Sequence, residues 1–180
     1  MPSNIEIKAR VRDLAGLIAR AGELSDSPVA LISQTDTFFN TARGRLKLRE
    51  LPSAAAQLIY YERADQPGPK RSDYSIHETE DPEGLKGVLD RALGIRGTVE
   101  KVRRVYLIGQ TRLHLDDVKG LGTFMELEVV LQAGQTEREG LAIAESLISQ
   151  LGIYRDDLLD AAYMDLIEGS DNAAAIGLQE

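Results

Sequence analysis

The sequence predicts an α+β protein: an eight-stranded, mostly antiparallel, closed β-barrel with amphipathic helices packed on its outside. Three observations carry this expectation. Eight stretches alternate between apolar and polar residues, so each presents two unlike faces with period two. On most of them the polar set is charged, and two strand types result, one with fixed cations and one with carboxylates: Arg45, Lys47 and Arg49 oppose Leu46 and Leu48, while Glu126 and Glu128 oppose Met125, Leu127 and Val129. Four helical segments supply apolar stripes. Closing the sheet puts the charged faces in a lumen and turns the apolar faces towards those helices.

The elements follow in order. A strand over about Asn4 to Val11 leads into a helix from Asp13 to Leu24, with Asp13 as N-cap and Leu14, Leu17 and Ile18 at helical spacing. The strand from Leu31 to Asn40 is joined to one running through Arg49 by Thr41-Ala42-Arg43-Gly44, which reads as a hairpin. A further strand, Gln57 to Arg63, ends at the turn signal Asp65-Gln66-Pro67-Gly68-Pro69. The strand Asp73 to Glu80 precedes a helix from Pro82 to Leu93, capped by Asp81 with Pro82 in its first turn. Three strands follow, Thr98 to Ile108, Thr111 to Val118 and Thr123 to Leu131. Helices from Thr136 to Leu151 and Asp156 to Ile167 close the chain. Residues 1–168 are expected to form one domain, and 169–180 a frayed tail in which Ala173 to Leu178 has some helical character.

Composition narrows the chemistry. A chain of 180 residues with 43% apolar content can bury a core of its own. It has no Cys, which excludes disulfides, thiolate catalysis and Cys-based zinc sites, and only two His, His77 and His114. No apolar run approaches the ~20 residues of a membrane span, and the N-terminus lacks the layout of a signal peptide. A cytoplasmic protein without membrane contact is expected. The formal net charge of −8 argues against general nucleic-acid binding. Against that acidic balance, Lys8, Arg45, Lys47, Arg49, Arg63, Lys101, Arg103 and Arg112 still recur at strand positions that can face inward. Such clustering points to a ligand with several negative charges, and strands with carboxylates beside them suit a polyphosphate accompanied by a divalent metal.

The ordered set of motifs resembles the CYTH, or triphosphate tunnel metalloenzyme, superfamily. Asn4-Ile5-Glu6-Ile7-Lys8 is similar to the family's N-terminal Glu-x-Glu-x-Lys strand, except that Asn4 replaces the first acid. Arg45-Leu46-Lys47-Leu48-Arg49, Lys101-Val102-Arg103, Leu115-Asp116 and Glu126-Leu127-Glu128 then fall in the family's order, with Gln34 to Phe39 and the closing Asp157 to Leu166 also similar. The resemblance spans nearly the whole chain. It implies a tunnel that binds a small-molecule triphosphate with Mg2+ or Mn2+. By position, Glu6, Asp116, Glu126 and Glu128 are implied as metal ligands, with Glu6 and Lys8 as catalytic residues. Lys8, Arg45, Lys47, Arg63, Lys101 and Arg103 are implied to grip phosphate, and Arg49 and Arg112 to line the tunnel.

Elementary chemistry agrees with this set. Mg2+ and Mn2+ prefer oxygen ligands, Arg grips phosphate with paired hydrogen bonds, and phosphoryl transfer depends on positioning and charge neutralisation. The leading expectation is hydrolysis of an inorganic or organic triphosphate, such as thiamine triphosphate or a nucleotide. The rival is a class IV adenylyl cyclase, which converts ATP to cyclic AMP and pyrophosphate. The absence of a recognisable adenine-reading motif favours hydrolysis. Asn4 motivates a third reading, a polyphosphate- or nucleotide-binding module with impaired turnover; a structural barrel with a wet charged lumen is a fourth. His114 can serve as an acid-base group in the tunnel, but a structural or spectator role is favoured. Tyr60 and Tyr61 read as packing residues, and Phe38 and Phe39 as core rather than a stacking platform. The oligomeric state stays open, a homodimer included.

Overall fold

The computed structural model of the chain describes residues 3–52, 54–65 and 68–177, with 171–177 described by backbone alone. Eight strands form a closed ring: β1 (Ser3–Arg10), β2 (Ala30–Phe39), β3 (Arg45–Leu51), β4 (Ala54–Arg63), β5 (Lys70–Thr79), β6 (Ile95–Ile108), β7 (Thr111–Val118) and β8 (Gly122–Val130). Around the barrel the order is β1, β5, β4, β3, β2, β6, β7, β8 and back to β1, and each of these pairings is antiparallel. Closure depends on β1, which pairs with β8 over Asn4 to Arg10 but with β5 only over Ser3 to Glu6. In the β2–β3 hairpin Gly44 has φ 63°, and a Cβ there would stand 2.6 Å from Tyr60 Oη, so both the backbone and the space call for glycine.

The outer faces are covered as the alternation requires. Helix α1 (Leu14–Leu24) is capped by Asp13, which accepts from Gly16 N at 2.9 Å. Helix α3 (Glu137–Leu151) begins with a full capping box between Thr136 and Glu139. Together α1 and α3 bury Ile5, Ile7, Leu113, Leu115, Met125 and Leu127. Each such side chain taken fully from water contributes about 1.5–3 kcal/mol. Helix α2 (Pro82–Leu93), capped by Asp81, lays Leu85 and Leu89 on Phe39, Leu48 and Ala56.

The C-terminal region departs from expectation. In place of one helix from Asp156 to Ile167, a short 3-10 turn at Arg155–Asp157 leads into a two-residue strand, β9 (Leu158–Leu159), and helix α4 runs Tyr163–Gly177. The reason lies in the barrel seam. Beyond Glu6, β1 has outrun its pairing with β5, and β9 takes the free edge at Lys8 and Ala9. Lys70 at the start of β5 donates to Asp160 O at 3.2 Å, and Arg12 holds Asp157 at 2.8 Å, so the segment is tied on both sides. Helix α4 is also not wholly an outer cover. Its first residues, Tyr163 and Met164, pack on Phe38, Val99, Val118 and Phe124, where the inner faces of four strands turn apolar at one end of the barrel.

Candidate active site

The barrel encloses a cavity of about 380 Å³. Period-two alternation delivers its charged lining from seven strands: Glu6 and Lys8 on β1, Asp36 on β2, Lys47 and Arg49 on β3, Arg63 on β4, Lys101 and Arg103 on β6, Arg112 and His114 on β7, Glu126 and Glu128 on β8. Seven cations against four carboxylates leave three net positive charges with His114 neutral, inside a chain whose overall charge is −8. The structure therefore brings together Glu6, Lys8, Lys47, Arg49, Arg63, Lys101, Arg103, Arg112, Glu126 and Glu128 from the expected set.

The charges are sorted into three groups. On the β2–β3 wall Asp36 receives Lys47 Nζ at 2.7 Å and Arg49 Nε at 2.9 Å. Burial alone would push its carboxyl up, but Arg49 and Lys47 outweigh burial and hold it well below the usual carboxylate range. Burial, with repulsion from Arg49, lowers the Lys47 ammonium to about 8 in spite of Asp36.

On the β6–β7 wall Asp116 is wholly buried and receives Lys101 Nζ at 3.0 Å, Arg103 Nε at 2.6 Å and Tyr163 Oη at 2.9 Å. Both oxygens are thereby engaged. Asp116, which the resemblance implies as a metal ligand, thus has its oxygens taken by two lumen cations and Tyr163.

The third group lies where β8 runs beside β1 and β7. Register puts Lys8 and His114 opposite Glu126, and Glu6 and Arg112 opposite Glu128. Glu126 pairs with Lys8 Nζ at 3.0 Å and Arg103 at 2.5 Å, and Glu128 with Arg112 at 2.9 Å. For Glu126 burial is outweighed by Lys8, Lys101 and Arg103, so its carboxyl lies well below the usual range. Glu6 goes the other way: burial, then the nearby Glu128, push its carboxyl up against the pull of Arg63 at 3.6 Å. Burial and the Arg103 charge lower the His114 imidazolium, so His114 is neutral near pH 7.

His114, for which a structural or spectator role was favoured, thus lies in the lumen among the carboxylates. Tyr61, read as packing, also lines the cavity; Phe39 is core, and Phe38 is core and borders the cavity as well. Arg45 is not part of the cavity lining. It bridges Asp65 at 2.8 Å and Asp165 of α4 at 3.0 Å, at the end of the barrel that α4 fills. Asp36 and Tyr163 had no assigned role, although both lie in the segments similar to the family, Gln34 to Phe39 and Asp157 to Leu166.

Whether this lumen fits a divalent ion can be judged from its own atoms. Nitrogen or oxygen atoms of His114, Glu126 and Glu128 lie within 4.8 Å of one another. Asn4 Oδ1 and His114 Nδ1 are buried with no hydrogen-bond partner among the described residues, as are Arg63 Nε and Arg112 Nε. Buried polar atoms seldom stay unpaired, so two acceptors and two guanidinium donors at one lumen suit a metal and an anion together. The donor set fits.

A family model described as the CYTH domain matches residues 3–163. A Methanocaldococcus jannaschii protein named "putative adenylate cyclase" is 22% identical over 171 residues, which cover 90% of this chain and 97% of that protein. Among solved structures, the PH1012 protein of Pyrococcus horikoshii OT3 matches with a TM-score of 0.80 at 23% identity, covering 91% of this chain and 98% of the other. A Hippeastrum protein described as a putative adenylyl cyclase with a dominant triphosphatase activity matches at 0.58 and 20% identity, covering 88% and 91%. The likenesses to solved structures concern the fold. No helix among the described residues is long and apolar enough to cross a membrane.

Proposed function

The chain belongs to the CYTH domain family, and from that premise we propose that it is a metal-dependent triphosphatase that hydrolyses an inorganic or organic triphosphate in the barrel lumen. One observation carries the reading: Glu6, Glu126 and Glu128 gather on the β1–β8 wall within reach of Lys8, Arg63, Arg103 and Arg112, while Lys47, Arg49 and Lys101 face them from other walls. An anion-binding lumen alone needs no carboxylates beside its cations. A divalent ion would be held by Glu126 and Glu128, with Glu6 adjacent, and when bound it supplies charge neutralisation to the phosphoryl oxygens.

The chain's own side chains do the rest. The guanidinium groups of Arg49, Arg63 and Arg103 offer paired donors to phosphate oxygens, and Lys8, Lys47 and Lys101 offer compact charges. Asp36 and Asp116, fixed by their ion pairs, hold four of these cations in place. That pre-set arrangement stabilises the charge spread over a transferring phosphoryl group. Glu6, whose carboxyl burial and Glu128 push above its usual range, is the group on this wall suited to accept a proton from attacking water. The triphosphatase activity ascribed to the Hippeastrum relative supports hydrolysis, and the name of the M. jannaschii relative supports the rival cyclase.

Product analysis separates the two. Inorganic triphosphate, thiamine triphosphate and ATP, each with Mg2+ or Mn2+, should yield orthophosphate, with little cyclic AMP from ATP. A cyclase must hold the ribose against the α-phosphorus, and such positioning is worth roughly 7–11 kcal/mol. Cyclic AMP and pyrophosphate as main products, with inorganic triphosphate left intact, would reverse the assignment.

A further inference from the structure

His114 has a position that hydrolysis by the carboxylates and cations leaves unexplained. Its ring is buried, and its Nδ1 has no hydrogen-bond partner among the described residues. That atom lies 3.8 Å from Glu126 Oε2 and 3.8 Å from Glu128 Oε1. A histidine that served only to orient a carboxylate would donate to it at about 2.7–3.2 Å, and at 3.8 Å it donates to neither. Two ligands that share one ion roughly 2.0–2.2 Å from each stand about 3–4.4 Å apart, and 3.8 Å falls within that span. The arrangement is built into the barrel: His114 stands directly opposite Glu126 in the β7–β8 register, and Glu128 is two residues along the same strand face. Among the described residues this is the group whose donor atoms converge closely enough to hold a metal.

We propose that His114 Nδ1 is a ligand of the divalent ion held by Glu126 and Glu128, and that this nitrogen biases the site towards Mn2+ over Mg2+. The proposal rests on the metal-dependent reading above. Mg2+ binds oxygen almost to the exclusion of nitrogen and keeps much of its water, whereas first-row transition ions accept imidazole readily. Lys8, Arg103 and Arg112 neutralise the two carboxylates, and an ion bound there replaces part of their charge while taking up the ring nitrogen that they cannot serve.

Pulsed electron paramagnetic resonance of Mn2+ bound to the full chain reads the ligand directly. The bound ion should show electron spin-echo modulation from a directly coordinated ¹⁴N. Protein grown with ¹⁵N-histidine should convert that modulation to the ¹⁵N pattern, with no substitution needed. His77, the other histidine, is exposed on β5, and His77→Gln should leave the signal unchanged. His114→Gln should abolish it and reduce the ratio of Mn2+ to Mg2+ affinity on the order of tenfold. Mn2+ that binds without a histidine nitrogen signal overturns the role of His114 and leaves the carboxylate site standing. Failure of Mn2+ to bind at all overturns the metal-dependent reading itself, and the proposal with it.

Discussion

At Asp116 a single carboxylate takes three donors, from Lys101, Arg103 and Tyr163, in a place with no solvent exposure. Removing one member of a buried ion pair leaves the other charge stranded, at a cost of about 3–5 kcal/mol. Asp116→Asn should therefore lower stability by roughly that amount in denaturant unfolding at neutral pH. Burial raises the Asp116 carboxyl, but Arg103 and Lys101 bring it down to about 2, below its unfolded value. The sign follows: the pair's contribution is present above the ordinary carboxylate pKa and is lost as pH falls towards 2. The substituted protein should show a shallower acid limb, and an unchanged limb would remove Asp116 from the account. Lys47 makes a prediction at the other end of the scale. Its ammonium is charged below about 8 and neutral above, so triphosphate affinity should fall by ~1–3 kcal/mol as pH rises through that region. Calorimetric titration between mildly acidic and alkaline pH reads this directly, and Lys47→Arg, which keeps its charge, should retain affinity on the alkaline side.

At the scale of elements, what could be read in the sequence was what is local. Alternation located all eight barrel strands to within a few residues, and Asp13 and Asp81 marked two helix starts because capping is decided within one turn. It also gave the inner face of each charged strand, hence most of the lumen cations. Pairing was not readable. Which carboxylate meets which cation depends on closure bringing β8 beside β1, more than a hundred residues away in sequence, and β9 exists only because β1 offers two unpaired residues there. The turn signal read over Asp65 to Pro69, of which Gln66 and Pro67 lie outside the described residues, hid the first three residues of β5, Lys70 and Ser72 among them. Asp36 was hidden by neutral neighbours on its strand face. Element packing carries its own prediction at Gly140, inside α3. Alanine there would gain about 1 kcal/mol of helix propensity. Its Cβ, however, would come against Leu131 Cδ2 and lie 2.8 Å from Ile5 Cγ1 on β1, and such overpacking costs ~1–3 kcal/mol. Gly140→Ala should be net destabilising in thermal unfolding; a rise in melting temperature would mean that α3 can shift away from the barrel.

On the scale of the whole molecule, the lumen is a set of mutually neutralising pairs that neither ligand alone can open cleanly. A metal ion that takes Glu126 and Glu128 strips Lys8 and Arg112 of their carboxylates and leaves Arg103 paired with Asp116 alone. A triphosphate that takes those cations leaves two part-buried carboxylates unpaired. Stranded buried charge is costly, so each ligand bound by itself forfeits part of its binding energy. Bound together, the anion serves the cations and the ion serves the carboxylates, and the forfeited part is regained. Metal and triphosphate should then bind with positive coupling, and thermodynamic linkage requires that each strengthen the other by the same factor. We expect that factor to be at least about tenfold, a coupling of ~1.4 kcal/mol. It can be measured with Mn2+ and a non-hydrolysable imido-triphosphate, titrated in both orders by calorimetry and corrected for the complex that the two form in solution. Lys8→Ala should shrink the coupling, because Glu126 then has one cation fewer to lose. Independent binding in both orders would mean that the ion and the phosphates occupy separate parts of the barrel.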